Sequence, residues 1–166
     1  MVLSILAWVL LAVLPAQAGA LTFSKPVGWT DRAAASSMRV AEFVVPKAAG
    51  DSEDGELIVY YFGGTGGTVE ANLQRWATQF QSASEPVRTT AKVNGLALTS
   101  LDVSGTYVAE VRPGATERHN KPGFRMRATV VETPKGPYFV KLTGPAATID
   151  GASAAFDQFL KSLDFK

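Results

Sequence analysis

Apolar residues recur along this chain with two different periods, and the switch between them marks out its elements. Residues 57–62 form a continuous apolar and aromatic run with β-branched Ile58 and Val59, the pattern of a strand covered on both faces. Gly63, Gly64, Gly66 and Gly67 follow, and without Cβ atoms they let the chain turn through positive φ. Val69, Leu73, Trp76, Ala77 and Phe80 then share one helical face, while Glu70, Gln74, Arg75, Thr78 and Gln81 hold the other. Thr68 is placed to cap this helix, with Glu70 in the first turn where the helix dipole favours negative charge. The strand, turn and amphipathic helix over residues 56–81 organise the rest.

Upstream, residues 21–29 contain a proline and a glycine and read as an edge strand or an extended entry segment, with Trp29 plugging an end of the core. Residues 37–45 alternate, placing Arg39, Ala41 and Phe43 on one side and Met38, Val40 and Val44 on the other. Residues 47–55 are a polar loop. Downstream of the helix, 88–93, 96–103 and 106–111 read as a meander punctuated by Asn94-Gly95 and Ser104-Gly105, the first being a strong hairpin signal. Residues 113–123 are loop, and 124–132 and 138–143 form another hairpin. A second helix follows Pro145, with Ile149, Phe156, Phe159, Leu160 and Leu163 on one face and Asp150 or Ser153 as cap. Strands, helix, strands, helix is the order of an α+β fold: a central antiparallel sheet flanked by helices, an α/β/α sandwich.

The first eighteen residues stand apart. They are apolar from Val2 to Leu14 except for Ser4, and Pro15 precedes a small-x-small site ending at Ala18. That is the pattern of a secretory signal peptide, too short to span a membrane, with cleavage after Ala18 or Ala20. Residues 19–166 are then expected as a single domain that is secreted or periplasmic and carries no transmembrane span. The chain has no cysteine, which removes disulfides, zinc–thiolate centres and cysteine nucleophiles. A net charge of +1 carries no polyanion signature, so nucleic acid is not an expected partner.

Several phrases together resemble a family of uncharacterised secreted bacterial proteins. They are Ser36-Ser37-Met38-Arg39, Gly66-Gly67-Thr68-Val69-Glu70-Ala71-Asn72, Arg75-Trp76-Ala77-Thr78-Gln79-Phe80 and Tyr138-Phe139-Val140-Lys141-Leu142-Thr143-Gly144-Pro145. The strand phrase 56–62 and Asp102-Val103-Ser104-Gly105-Thr106-Tyr107 belong to the same series, which extends over nearly the whole of 19–166. That family has no assigned activity, so the resemblance transfers no catalytic or binding residue. The element order is in turn similar to PsbP-like domains, which implies an accessory or binding module and not an enzyme.

Two stretches are candidates for ligand chemistry. The first is the turn 63–68, where Gly64, Gly66, Gly67 and Thr68 would offer backbone N–H groups to an anion at a helix N-terminus. Neither the dinucleotide fingerprint nor the P-loop pattern fits there, since Val69 stands where a third glycine belongs and no Lys-Ser/Thr follows. The alternative is a close-packed connection. The second stretch is basic: between residues 111 and 145, seven Lys and Arg stand against Glu117 and Glu132 alone. Arg125 and Arg127 share a sheet face by alternation, and Lys141 is positioned to join them from the neighbouring strand, so this patch would hold a carboxylate or phosphate. The alternative is a solvated face. Asp51, Glu53, Asp54 and Glu56 lack EF-hand spacing, since Glu56 stands where that loop needs glycine, His119 is the lone histidine, and no serine-hydrolase motif occurs, so no metal, cofactor or catalysis is expected. The expectation is a non-catalytic module of the cell envelope binding a partner protein or a small anionic ligand, with an unrecognised hydrolase as the remaining alternative.

Overall fold

A computed structural model describes residues 20–166, so segment 1–18, where a signal peptide is expected, lies outside the described residues. The elements are β1 (Leu21–Thr22), β2 (Thr30–Asp31), β3 (Arg39–Val45), β4 (Gly55–Tyr61), α1 (Val69–Ala77), β5 (Phe80–Gln81) and β6 (Val87–Val93). They continue with β7 (Leu96–Tyr107), β8 (Lys121–Thr133), β9 (Gly136–Pro145), α2 (Ala146–Lys161) and β10 (Asp164–Phe165). One antiparallel sheet runs in the order β2-β3-β4-β9-β8-β7, with β5 and β6 end to end along the outer edge of β7. β1 and β10 close a separate two-stranded pair.

Alternation along β9 separates two cores. Tyr138, Val140 and Leu142 point to one face, where they pack with Leu57 and Val59 of β4 and with Ile149, Phe156 and Phe159 of α2. Phe139 points to the other, among Met126, Ala128 and Val130 of β8, Leu101 and Val103 of β7, and Leu73 and Trp76 of α1. The protein is therefore α+β, with one helix belonging to each core. α2 has 16 residues and α1 only 9, and α1 lies over β7 and β8. Beyond Phe139, which packs on Trp76, the α1-side face around Glu56, Ile58 and Lys141 lines an open cavity.

Several expectations are corrected by pairing that local pattern does not encode. The helix predicted through Phe80 stops at Ala77 with Thr78 as C-cap, and Phe80 joins the same core from β5. Ser104-Gly105 is no hairpin turn. β7 runs straight through it, and Gly105 is required because a Cβ there would sit 2.8 Å from the Gln81 carbonyl oxygen. Asn94-Gly95 does make the β6–β7 turn, both residues at positive φ. Residues 21–29 form no strand of the main sheet, although Trp29 is buried in the α2-side core. The loop expected at 113–123 lies instead at 108–120, because strand 106–111 ends at Tyr107 and β8 begins at Lys121.

The α2 N-terminus is capped neither by Asp150 nor by Ser153. Asp51, reaching in from the acidic loop, accepts hydrogen bonds from Thr148 N (2.9 Å) and Thr148 Oγ1 (2.5 Å). Asp54 holds Lys47 N at 2.9 Å and Glu53 pairs with Lys121 at 2.6 Å, so this loop is a structural clasp.

Candidate functional site

The two stretches singled out in the sequence fall in different places. In the glycine turn the backbone is used for close approach. A Cβ on Gly66 would lie 2.8 Å from the Phe139 ring, and one on Gly64 would lie 2.9 Å from the Lys135 carbonyl oxygen. Gly136 in the β8–β9 turn abuts Gly64 in return, a Cβ there falling 2.5 Å from its Cα. Buried Asn72 donates from Nδ2 to the carbonyls of Gly66 and Thr68, both at 2.8 Å, while Thr68 Oγ1 caps Ala71 N at 3.2 Å. Gly64, Gly66, Gly67 and Thr68 thus form a clamped connection between β4 and α1.

Arg125 and Arg127 do share a face, and that face belongs to α2. Arg125 makes a bidentate pair with Asp102, Nε at 2.8 Å and Nη2 at 2.5 Å, and adds Asp150 at 2.5 Å. Asp102 and Asp150 together raise its proton affinity, the hydrogen bond to Asp102 contributing most. Arg127 donates to Asp157 at 2.7 Å and to the Ser153 carbonyl at 3.2 Å, with its guanidinium 4.9 Å from the Phe156 ring centre. Both arginines are neutralised by α2 and by β7. They staple the helix to the sheet.

Lys141 does not join them. Its cross-strand partner in β8 is Ala128, whose side chain lies in the α1-side core, whereas Arg127 stands opposite Leu142 in the α2-side core. Directly opposed residues share a face, so Lys141 and the two arginines are on opposite sides of the sheet. The expected three-residue basic patch is split.

Lys141 instead forms part of the floor of a cavity of about 690 Å³ on the part of the α1-side face that α1 leaves open. Glu56, Ile58 and Tyr60 of β4 complete the floor with Thr143 of β9. Arg75, Thr78 and Gln79 at the end of α1 form one wall, and Arg112, Arg118 and His119 from the β7–β8 connection form another. Arg39 and Met38 close the third side from β3 and the residue before it.

Arg39 arrives there through a register irregularity. Simple alternation puts it beside Ala41 and Phe43, but the β3–β4 pairing shifts between Arg39 and Ala41 and sets Arg39 opposite Tyr60. Its guanidinium lies 5.7 Å from the Tyr60 ring centre and donates to Glu42 at 2.9 Å. Glu42 is itself buried, with Arg32 at 3.4 Å as its second cation.

Three cations of the cavity have no carboxylate within ion-pair distance among the described residues: Lys141, Arg75 and Arg112. Lys141 Nζ donates to the neutral Gln79 Oε1 at 2.9 Å, and Arg75 to Asn72 Oδ1. Burial lowers the Lys141 ammonium to a pKa of about 8, Arg75 and Arg39 push it the same way, and Glu56 opposes them. Tyr107, lining the cavity and stacked on His119 at 5.4 Å, is pushed up to about 12 by burial, with Glu56 and Tyr60 adding to the shift. A volume of this size, walled by aromatic rings and converging cations, suits a small molecule carrying negative charge. Among the described residues no group of three or more His, Asp or Glu is arranged to hold a metal ion, and no helix is long and apolar enough to cross a membrane.

No family model matches the chain, and no curated protein matches it. Solved structures do. Protein PA94 of unknown function from Pseudomonas aeruginosa has a TM-score of 0.54 at 16% identity, covering 87% of this chain and 96% of its own. Cyanobacterial PsbP (CyanoP) from Synechocystis sp. PCC 6803 has a TM-score of 0.53 at 14% identity, covering 88% and 86%. The chain has a PsbP-like fold.

Proposed function

We propose that this chain is an exported, non-catalytic binding module that takes a small anionic ligand in the cavity around Lys141. The observation that supports it most is the pairing of charge. A partly buried ammonium is held near two guanidinium groups, with a neutral amide as its hydrogen-bond acceptor. Such a cluster is costly by itself and is relieved by an anion. Export rests on the leader pattern of residues 1–18, and the binding-module reading is in keeping with the likeness to cyanobacterial PsbP. The same reading takes the fold as a three-layer α/β/α sandwich whose short α1 layer leaves the ligand face open.

Thermal unfolding of residues 19–166 with 3-phenylpropionate, phosphate and amino acids tests it. A ligand at about 100 times its Kd adds roughly 2.7 kcal/mol of stability. A rise in Tm with at least one probe, absent in Lys141→Met, is the expected result. A flat response across the panel contradicts the reading.

A protein partner is the second reading, favoured by β6. Six of its seven residues are exposed, so an edge with little packed on either side can accept an added strand. Photo-crosslinking from position 90 in the native envelope should capture one partner. Crosslinking equally well from positions outside β6 contradicts it.

A further inference from the structure

The cavity floor carries a negative charge as well as positive ones, and its placement narrows the ligand class. Glu56 stands opposite Thr143 and Ile58 opposite Lys141, so Glu56 and Lys141 project from the same face of adjacent strands as diagonal neighbours. Side chains as long as these are within reach of each other at that spacing. They form no ion pair within 4.0 Å. Lys141 is turned to Gln79 at 2.9 Å, and Glu56 to Arg32 at 3.4 Å. Two opposite charges are thereby held apart on one floor, and both residues line the cavity. Tyr60 and Tyr107 line the same space.

Resting on the anion-binding reading above, we infer that the ligand is a zwitterion of the α-amino-acid class, its carboxylate on Lys141, Arg75 and Arg39 and its ammonium on Glu56. A phosphate or dicarboxylate set against Lys141 would face the Glu56 carboxylate across the floor, a like-charge contact that selects against it. A simple carboxylic acid would leave Glu56 with only the 3.4 Å contact to Arg32. An amino acid answers both charges through two groups on one carbon, and the tyrosine hydroxyls can accept from its ammonium or donate to its carboxylate. Ile58, Tyr60 and Phe62 offer apolar surface to a side chain, which favours an aromatic or aliphatic one. In this assignment Lys141 supplies affinity and Glu56 supplies selectivity.

The test is a matched pair of probes, L-phenylalanine and 3-phenylpropionate, which share ring and carboxylate and differ by the α-ammonium. Isothermal titration at pH 7 and low salt would compare them on the wild type, Glu56→Gln and Lys141→Met, with circular dichroism confirming that each variant is folded. Phenylalanine should bind about ten-fold tighter than phenylpropionate to the wild type, and Glu56→Gln should bring the two together. Lys141→Met should weaken both. Equal or tighter binding of phenylpropionate to the wild type overturns the zwitterion assignment and leaves the anion reading standing, as does a preference that survives Glu56→Gln. No measurable heat with either acid or with phosphate overturns both.

Discussion

The two faces of this sheet both carry basic side chains, and they use them in opposite ways. On the α2 side Arg125 and Arg127 meet Asp102, Asp150 and Asp157 at 2.5–3.8 Å, with the Phe156 ring beside them. On the α1 side Lys141 and Arg75 meet amides, and the nearest strand carboxylate is turned away to Arg32. The first set fastens a sixteen-residue helix along the sheet. The second surrounds a cavity that a nine-residue helix is too short to cover. A cluster of positive charge in a sequence is therefore no indication of a site by itself. What decides is whether the fold delivers the counter-charge.

The largest effect expected from breaking this comparison comes from the glycine clamp. Gly136→Ala combines a positive φ of 104° with a Cβ placed 2.5 Å from the Gly64 backbone, a contact no rotamer relieves. Urea unfolding should show a loss of about 3 kcal/mol or more. If the clamp is purely structural, whatever folded protein remains will bind ligand normally.

Next comes Asp102→Ala. It leaves two half-buried guanidiniums short of a partner, and the cost should be about 2–3 kcal/mol with no change in ligand affinity. The mirror substitution, Lys141→Met, should do the reverse. Removing a cation that is poorly compensated in the fold should stabilise the ligand-free protein by ~1–2 kcal/mol while weakening ligand binding at least about ten-fold.

The titration of Lys141 makes the same point as a function of pH. Its folded pKa, about 8, lies below the unfolded value of 10.5, so between the two the unfolded chain binds more protons. Stability contributed through this group must rise as pH climbs from about 8 towards 10.5, and anion affinity must fall over the lower part of that window. Both slopes should vanish in Lys141→Met. The smallest effect belongs to Thr68→Ala, which removes one helix cap at about 1 kcal/mol and should leave affinity unchanged.

These differences also explain what was legible in the sequence. The Asn94-Gly95 turn, the strand over Ile58–Tyr60 and the Leu73–Trp76 stripe are local, and each is encoded by residues within one element. Whether Arg127 and Lys141 share a face depends on the β8–β9 register, which a hairpin of unknown loop geometry leaves free by one residue. Arg39 needed the irregularity before Ala41, invisible to period-two counting. Arg75 sits on the polar stripe of α1 and reads as solvent-facing, and only the shortness of α1 turns that stripe into a cavity wall. The signal that was present is the alternation of Phe139, Lys141 and Thr143, which already sets Lys141 on the same face as a buried aromatic ring.

The central claim is that the α1 face binds and the α2 face fastens. It is tested most directly by titrating L-phenylalanine into Lys141→Met and Arg125→Gln side by side with the wild type. The account predicts binding lost in Lys141→Met and retained in Arg125→Gln, with the melting temperature raised in the first and lowered in the second. Binding lost in Arg125→Gln and kept in Lys141→Met would contradict it.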